Sequence, residues 1–125
     1  MPVLAIDHYN LHANPSLMEV LREFYCSVVG LEVGPRPAFA EPGYWLYAGQ
    51  RPIVHLTQAG PDEERATHVA TTIDHVAFAC NDLPELEARL TAAGVPFRRS
   101  DVPARHVVQL FLRDPAGNGV ELNFA

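Results

Sequence analysis

The 125-residue sequence predicts an α+β domain of two βαβββ modules, their strands forming a curved mixed sheet with the helices outside. Three observations lead there. The tripeptide Ile-Asp-His occurs twice, ending at His8 and at His75. Aligned on those histidines, the two halves run through the same order of alternating, helical and turn-rich segments. A polar stretch with a Gly-Pro step, residues 60–67, stands between them. One domain over 1–125 follows, with internal modules 1–59 and 71–125 joined by a linker at 60–70. The chain is long enough for one core and too short for two ordinary domains.

Val3 to His12 alternates as a strand. Asn14-Pro15 then offers an N-cap with proline at the first helical position. Leu17, Leu21, Phe24, Tyr25 and Val28 recur at helical spacing, and Gly30 is the stop. Leu31 to Val33 is a short extended piece, and 43–48 and 52–57 are strands parted by the Gly49-Gln50 turn. In the second half Thr72 to Cys80 is a strand and Asp82 an N-cap. Leu83, Leu86, Leu90 and Ala93 form the helical stripe that Gly94 ends. Val95 to Arg99 and His106 to Arg113 are strands, 114–119 is a turn cluster, and Gly119 to Phe124 is the last strand.

Composition narrows the function classes. With 48% hydrophobic and 19% charged residues the chain reads as a soluble globular protein. No apolar run approaches the ~20 residues a membrane helix needs, and no basic flank precedes the first apolar residues, so neither a membrane span nor a signal peptide is expected. A net charge of -6 argues against broad nucleic-acid binding, which needs clustered cations. All the basic side chains are arginines, and Arg98, Arg99, Arg105 and Arg113 fall late, leaving room for a local anion patch. Cys26 and Cys80 form no disulfide framework and no metal knuckle; they read as buried thiols in a reducing cytoplasm. There is no P-loop, dinucleotide-binding glycine fingerprint or nucleophile elbow.

Strand parity points to the chemistry. Successive strand residues face opposite ways. Val54, Leu56, Val76, Phe78, Val120, Leu122 and Phe124 make apolar faces for the helices. His8, Asn10, His55, His75, Gln109, Phe111, Glu121 and Asn123 share the other, which has too little Lys, Glu and Thr for a plain wetted surface. Imidazole and carboxylate on neighbouring strands suit an open divalent site of Zn, Ni, Co, Fe or Mn. His8, His75 and Glu121 would form a facial set of two histidines and one carboxylate, with His55 as fourth ligand or as base. His12, His68 and His106 lack the repeat symmetry and are expected not to ligate. Asn10, Gln109, Phe111 and Asn123 would contact substrate, and Trp45 and Tyr47 of the aromatic strand would line its apolar side.

Several stretches resemble the vicinal-oxygen-chelate superfamily, which includes glyoxalase I, methylmalonyl-CoA epimerase, extradiol dioxygenases and bleomycin-resistance proteins. They are Ile6-Asp7-His8, 24–33 (FYCSVVGLEV), 73–78 (IDHVAF) and 111–122 (FLRDPAGNGVEL), the last with an Asp-Pro-x-Gly turn and a Glu seven residues after the Asp. The resemblance covers nearly the whole chain. It implies one divalent metal per site, with His8, His75 and Glu121 at the first-, fifth- and last-strand ligand positions. Glyoxalase I carries glutamate at the fourth-strand position and the epimerases commonly glutamine; here it is His55. Glu121, with His55, would then be the catalytic base. The implied function is a lyase or isomerase that chelates adjacent oxygens of a small substrate and moves a proton through an enolate-like intermediate. The alternatives are a ring-cleaving dioxygenase using a His/His/Glu iron site and a metal-free drug-binding resistance protein. A homodimer with the site at or near the subunit interface is also implied.

Overall fold

In the computed structural model, which describes residues 1–125, the chain divides into two compact units, Met1–Arg65 and Ala66–Ala125. The first runs β1 (Tyr9–Ala13), α1 (Pro15–Glu23), a π-helical turn (Phe24–Val29), β2 (Glu32–Gly34), β3 (Gly43–Ala48) and β4 (Arg51–Gln58). Its sheet has the order β1-β4-β3-β2, with β1 parallel to β4 and the other neighbours antiparallel. The second runs β5 (Val76–Cys80), α2 (Leu83–Ala92), β6 (Arg98–Val102), a 3-10 turn (Pro103–Arg105), β7 (Val107–Arg113) and β8 (Gly119–Phe124). Its order is β5-β8-β7-β6, again with the first pair parallel and the rest antiparallel. The architecture is α+β, with two four-stranded mixed sheets and two helices.

Local chemistry accounts for the helices. The Asn14 side chain accepts the Leu17 amide at 2.9 Å, and Pro15 follows at N1, where no N–H is needed. Asp82 caps α2 by accepting from the Glu85 amide. The turn Phe24–Val29 widens so that the adjacent Phe24 and Tyr25 are both buried, and Gly30, at φ 101°, ends it in the left-handed region. The apolar parity holds: Leu46, Val54, Leu56, Leu110 and Leu122 are fully buried. In α1 the core positions are Met18 and Leu21, and Leu17 is only half-buried.

Several boundaries differ from expectation. Residues 3–8 join no strand: Val3, Leu4 and Ile6 are exposed and β1 begins at Tyr9. The β1–β4 register puts Pro52 just beyond the paired segment, and proline has no N–H to extend a ladder. Likewise 72–75 precede β5. The expected strand at 95–99 lies at Arg98–Val102, after Pro96, and β7 starts at Val107 because His106 takes a left-handed conformation. Cys26 and Cys80 are free and half-buried rather than buried. Burial raises both thiols above their ordinary pKa. No helix is long and apolar enough to cross a membrane.

Candidate functional site

The strand registers equate the two units residue by residue. Tyr9 pairs with Val54 in one and Val76 with Val120 in the other. His8 therefore corresponds to His75, and His55 to Glu121. Trp45, opposite His55 on β3, corresponds to Phe111, opposite Glu121 on β7. Each unit thus presents a histidine just before its first strand, a titratable residue on the paired strand and an aromatic beside it.

Both histidines are oriented in the same way. His8 Nδ1 donates to Asp7 Oδ1 at 2.6 Å, and His75 Nδ1 donates to Asp74 Oδ2 at 2.9 Å. In the neutral ring this leaves Nε2 with the free lone pair on each. The bond from His8 holds the Asp7 carboxyl below its usual pKa, and the bond from His75 does the same for Asp74.

In the first unit the His8 ring stacks on His55 with centroids 3.8 Å apart, and His55 stacks in turn on Trp45 at 4.2 Å. His55 is buried and donates Nε2–H to the Pro52 carbonyl at 3.0 Å, so Nδ1 keeps its lone pair. Burial first, and then the neighbouring His8, lower its pKa and favour the neutral ring. Asn10 stands opposite His55 on β1. Asp7, His8, Asn10, Arg36, Trp45 and His55 are among the residues lining a cavity of about 560 Å³.

In the second unit Glu121 is buried, with one oxygen accepting from Asn123 Nδ2 at 3.0 Å. Its other oxygen lies 3.3 Å from His75 Nε2. With Nδ1–H committed to Asp74, the neutral ring and the carboxylate face each other as two acceptors. That arrangement calls for a proton or a metal cation between them, and metal–ligand bonds of ~2.1 Å set adjacent donors about 3 Å apart. The donor chemistry therefore fits a divalent ion. Phe111 meets the His75 ring edge-on at 5.7 Å, and Arg98 lies over Phe111 at 4.5 Å.

Neither unit gathers three His, Cys, Asp or Glu side chains into a metal-sized cluster; each supplies a pair. Gln109 pairs with Asn123 on the Glu121 face. Tyr47 lies elsewhere: its hydroxyl donates to the Pro35 carbonyl at 2.5 Å and its ring packs against Gly34. His12 is engaged by Glu63 at 2.8 Å. The orienting role of Asp7 and Asp74 escaped sequence reasoning, although the repeated Ile-Asp-His carried the signal. Arg36 and Phe39 were not among the expected site residues; they lie on the β2–β3 connection, which is longer than its β6–β7 equivalent.

Two glycine-dependent features hold the second pair in place. A Cβ on Gly119 would stand 2.0 Å from the Asp74 carbonyl oxygen, so only glycine lets the Asp74-His75 segment lie on β8 beside Glu121. In the preceding turn the buried Asp114 carboxylate accepts from the Ala116 and Asn118 amides and from Asn118 Nδ2. Gly117 there has φ 88°.

A duplicated β-α-β-β-β unit with an oriented histidine in each copy defines a paired-module class of α+β proteins. Residues 5–122 match the family model described as the Glyoxalase/Bleomycin resistance protein/Dioxygenase superfamily, and the chain belongs to that superfamily. Solved structures agree in fold. A lactoylglutathione lyase from Agrobacterium tumefaciens is 24% identical, with 100% of this chain and 96% of that chain covered and a TM-score of 0.68. A glyoxalase family protein from Enterococcus faecalis is 22% identical over 98% of this chain and 99% of that one, with a TM-score of 0.68. A glyoxylase/bleomycin resistance protein/dioxygenase domain from Frankia sp. EAN1pec reaches a TM-score of 0.72 at 16% identity, over 98% of both chains. No curated protein matches significantly.

Proposed function

We propose that this protein is a divalent-metal-dependent enzyme of the glyoxalase or epimerase kind, acting on a small substrate with two adjacent oxygens. The observation that carries the reading is the repeated Asp–His unit, which fixes His8 and His75 with Nε2 free for a ligand. His8, His75 and Glu121 are the proposed ligands, and His55, through Nδ1, is either a fourth ligand or a base. When bound, the ion would supply Lewis acidity toward the substrate oxygens.

The chain's own groups supply the proton chemistry. Glu121 Oε2 is fixed by Asn123, and its other oxygen is the acceptor available to take a proton. His55, which burial favours as the neutral ring, has only Nδ1 free and serves as the second proton carrier when that nitrogen does not ligate the ion. Asn10, Gln109 and Asn123 offer hydrogen bonds to the substrate, and Trp45 and Phe111 offer apolar walls.

A homodimer is part of the same reading. Val3, Leu4, Ile6, Val69 and Ile73 are exposed apolar side chains leading into the two Asp–His units. A second copy covering them would bury surface that a monomer leaves in water.

Metal analysis of protein purified without chelators, on wild type and His75→Ala, tests the proposal. About one equivalent of Ni, Co or Zn per chain in wild type, much reduced in the variant, is expected. Stoichiometric iron would favour ring-cleaving oxygen chemistry. No bound metal, together with no thermal stabilisation by any of these ions, would leave the metal-free binding-protein reading.

A further inference from the structure

We infer that the cavity beside His8 and His55 takes an anionic small molecule, a carboxylate carried on a flat apolar body, and that Arg36 is its anchor. This names the substrate class of the proposed metal site, and rests on that reading only for the cavity being where substrate binds. Arg36 lines the cavity together with Phe39, Trp45 and the two histidines. It has no carboxylate within ion-pair distance. Its Nη2 donates to the Glu41 carbonyl at 3.0 Å, and its buried Nε–H has no acceptor. Glu41 thus holds the guanidinium through the backbone and leaves the positive charge uncompensated. A guanidinium offers five donors in a planar fork that matches a carboxylate, so most of its capacity here is unspent.

The arginine is built in rather than loosely placed. Pro35 and Pro37 flank it, one with a fixed φ and the other restricting Arg36 itself to extended backbone. The Pro35 carbonyl is pinned by the Tyr47 hydroxyl. The guanidinium rests on Gly43, where a Cβ would come within 2.8 Å of Nη2. Phe39 lies under it at 4.9 Å and approaches Trp45 at 6.3 Å, giving an apolar surface next to the charge. Of the two acidic groups in the cavity wall, Asp7 is already engaged by His8, and the Glu41 carboxylate makes no ion pair with Arg36, which it meets only through its backbone carbonyl. A charge, a fork and adjoining aromatic rings in one cavity suit an aromatic or similarly flat carboxylate.

Trp45 is the sole tryptophan, so its emission reports on this cavity directly. The probes are benzoate and its neutral isostere benzamide, titrated at fixed low ionic strength into chelator-treated wild type, Arg36→Gln and Arg36→Lys. Benzoate is expected to shift Trp45 emission saturably and to bind about tenfold or more tightly than benzamide. Arg36→Gln should abolish that preference and Arg36→Lys should keep part of it, with near-ultraviolet circular dichroism unchanged. If Arg36→Gln fails to fold, the Arg36→Lys comparison decides. Equal binding of the two probes, binding of neither, or a preference that survives in both variants overturns the inference. Titrating the same proteins with Zn²⁺ or Ni²⁺ separates it from the metal reading. Metal bound without any benzoate preference refutes the anchor alone, and a benzoate preference without metal refutes the metal site alone.

Discussion

His75 Nε2 stands 3.3 Å from Glu121 Oε1, although the ring's Nδ1–H is already given to Asp74. With the ring neutral, two acceptors held this close, one of them on a buried carboxylate, make a site that gains by taking up a proton or a metal cation. Glu121→Gln removes the charge that needs compensation. The variant is expected to fold with a melting temperature at or above that of metal-free wild type. Wild type should gain about 2.7 kcal/mol when an ion is supplied at a hundredfold excess over its Kd, and the variant should gain little. Calorimetric melts with and without Ni²⁺ or Zn²⁺ check this, and equal gains would remove Glu121 from the ligand set.

Asp7 and Asp74 act through the histidines they orient. Asp7→Asn and Asp74→Asn should each weaken metal binding about 10–100-fold, as loss of such an outer partner does elsewhere. Competition against a chromogenic chelator measures it. Unchanged affinity in both variants would show that the imidazoles hold their orientation without the carboxylates.

Gly119 lies against the backbone of Asp74. Gly119→Ala forces a Cβ to within 2.0 Å of the Asp74 carbonyl oxygen and 3.1 Å of the His75 Cβ. Overpacking of this kind costs about 1–3 kcal/mol, and here it should also push His75 away from Glu121. Gly60→Ala, whose nearest neighbour is Glu63 Cβ at 4.0 Å, serves as control and should stay within about 0.5 kcal/mol of wild type. Urea unfolding of both variants gives the comparison.

Asp114 is the hub of the turn that precedes β8. Asp114→Ala leaves the Ala116 amide, the Asn118 amide and Asn118 Nδ2 without their acceptor, at a cost of about 2–4 kcal/mol. Asp114→Asn keeps one acceptor oxygen and should fall between the variant and wild type. The same unfolding measurement checks the order.

Glu63 gives the stability a defined acid limb. The Arg65 guanidinium, then the Gly60 amide and His12, lower its pKa from 4.5 to about 2. Above pH 4.5 the carboxyl is ionised in both folded and unfolded chains, and its stabilising contribution is fully present. As pH falls from there toward 2 the unfolded chain takes the proton first, so the contribution is lost. Melting temperatures of wild type and Glu63→Gln should therefore differ at pH 6 and converge toward pH 2. A gap that persists to pH 2 would show that Glu63 stabilises by packing and not by charge.

Much of the architecture was readable because it rests on local rules. Asn14-Pro15 and Asp82 announce helix starts, Gly30 and Gly94 announce ends, and alternation in 54–56, 110–112 and 120–124 marks the faces that are in fact buried. The Ile-Asp-His repeat also marked the two histidines whose Nδ1 bonds the preceding aspartate. The errors fall where pairing decides: 3–8 and 72–75 alternate like strands, yet they form no ladder with β4 or β8.

Sequence alone determined the two-module plan, the family and the residue types on the polar face, since periodicity, caps and turn chemistry act over a few residues. Tertiary structure decided what those residues do to one another. The register sets His55 against Trp45 and Glu121 against Phe111, the Gly119 contact brings His75 to Glu121, and Arg36 folds back over Gly43. Such relations depend on the distance and direction between segments far apart in the chain, which no short-range pattern encodes.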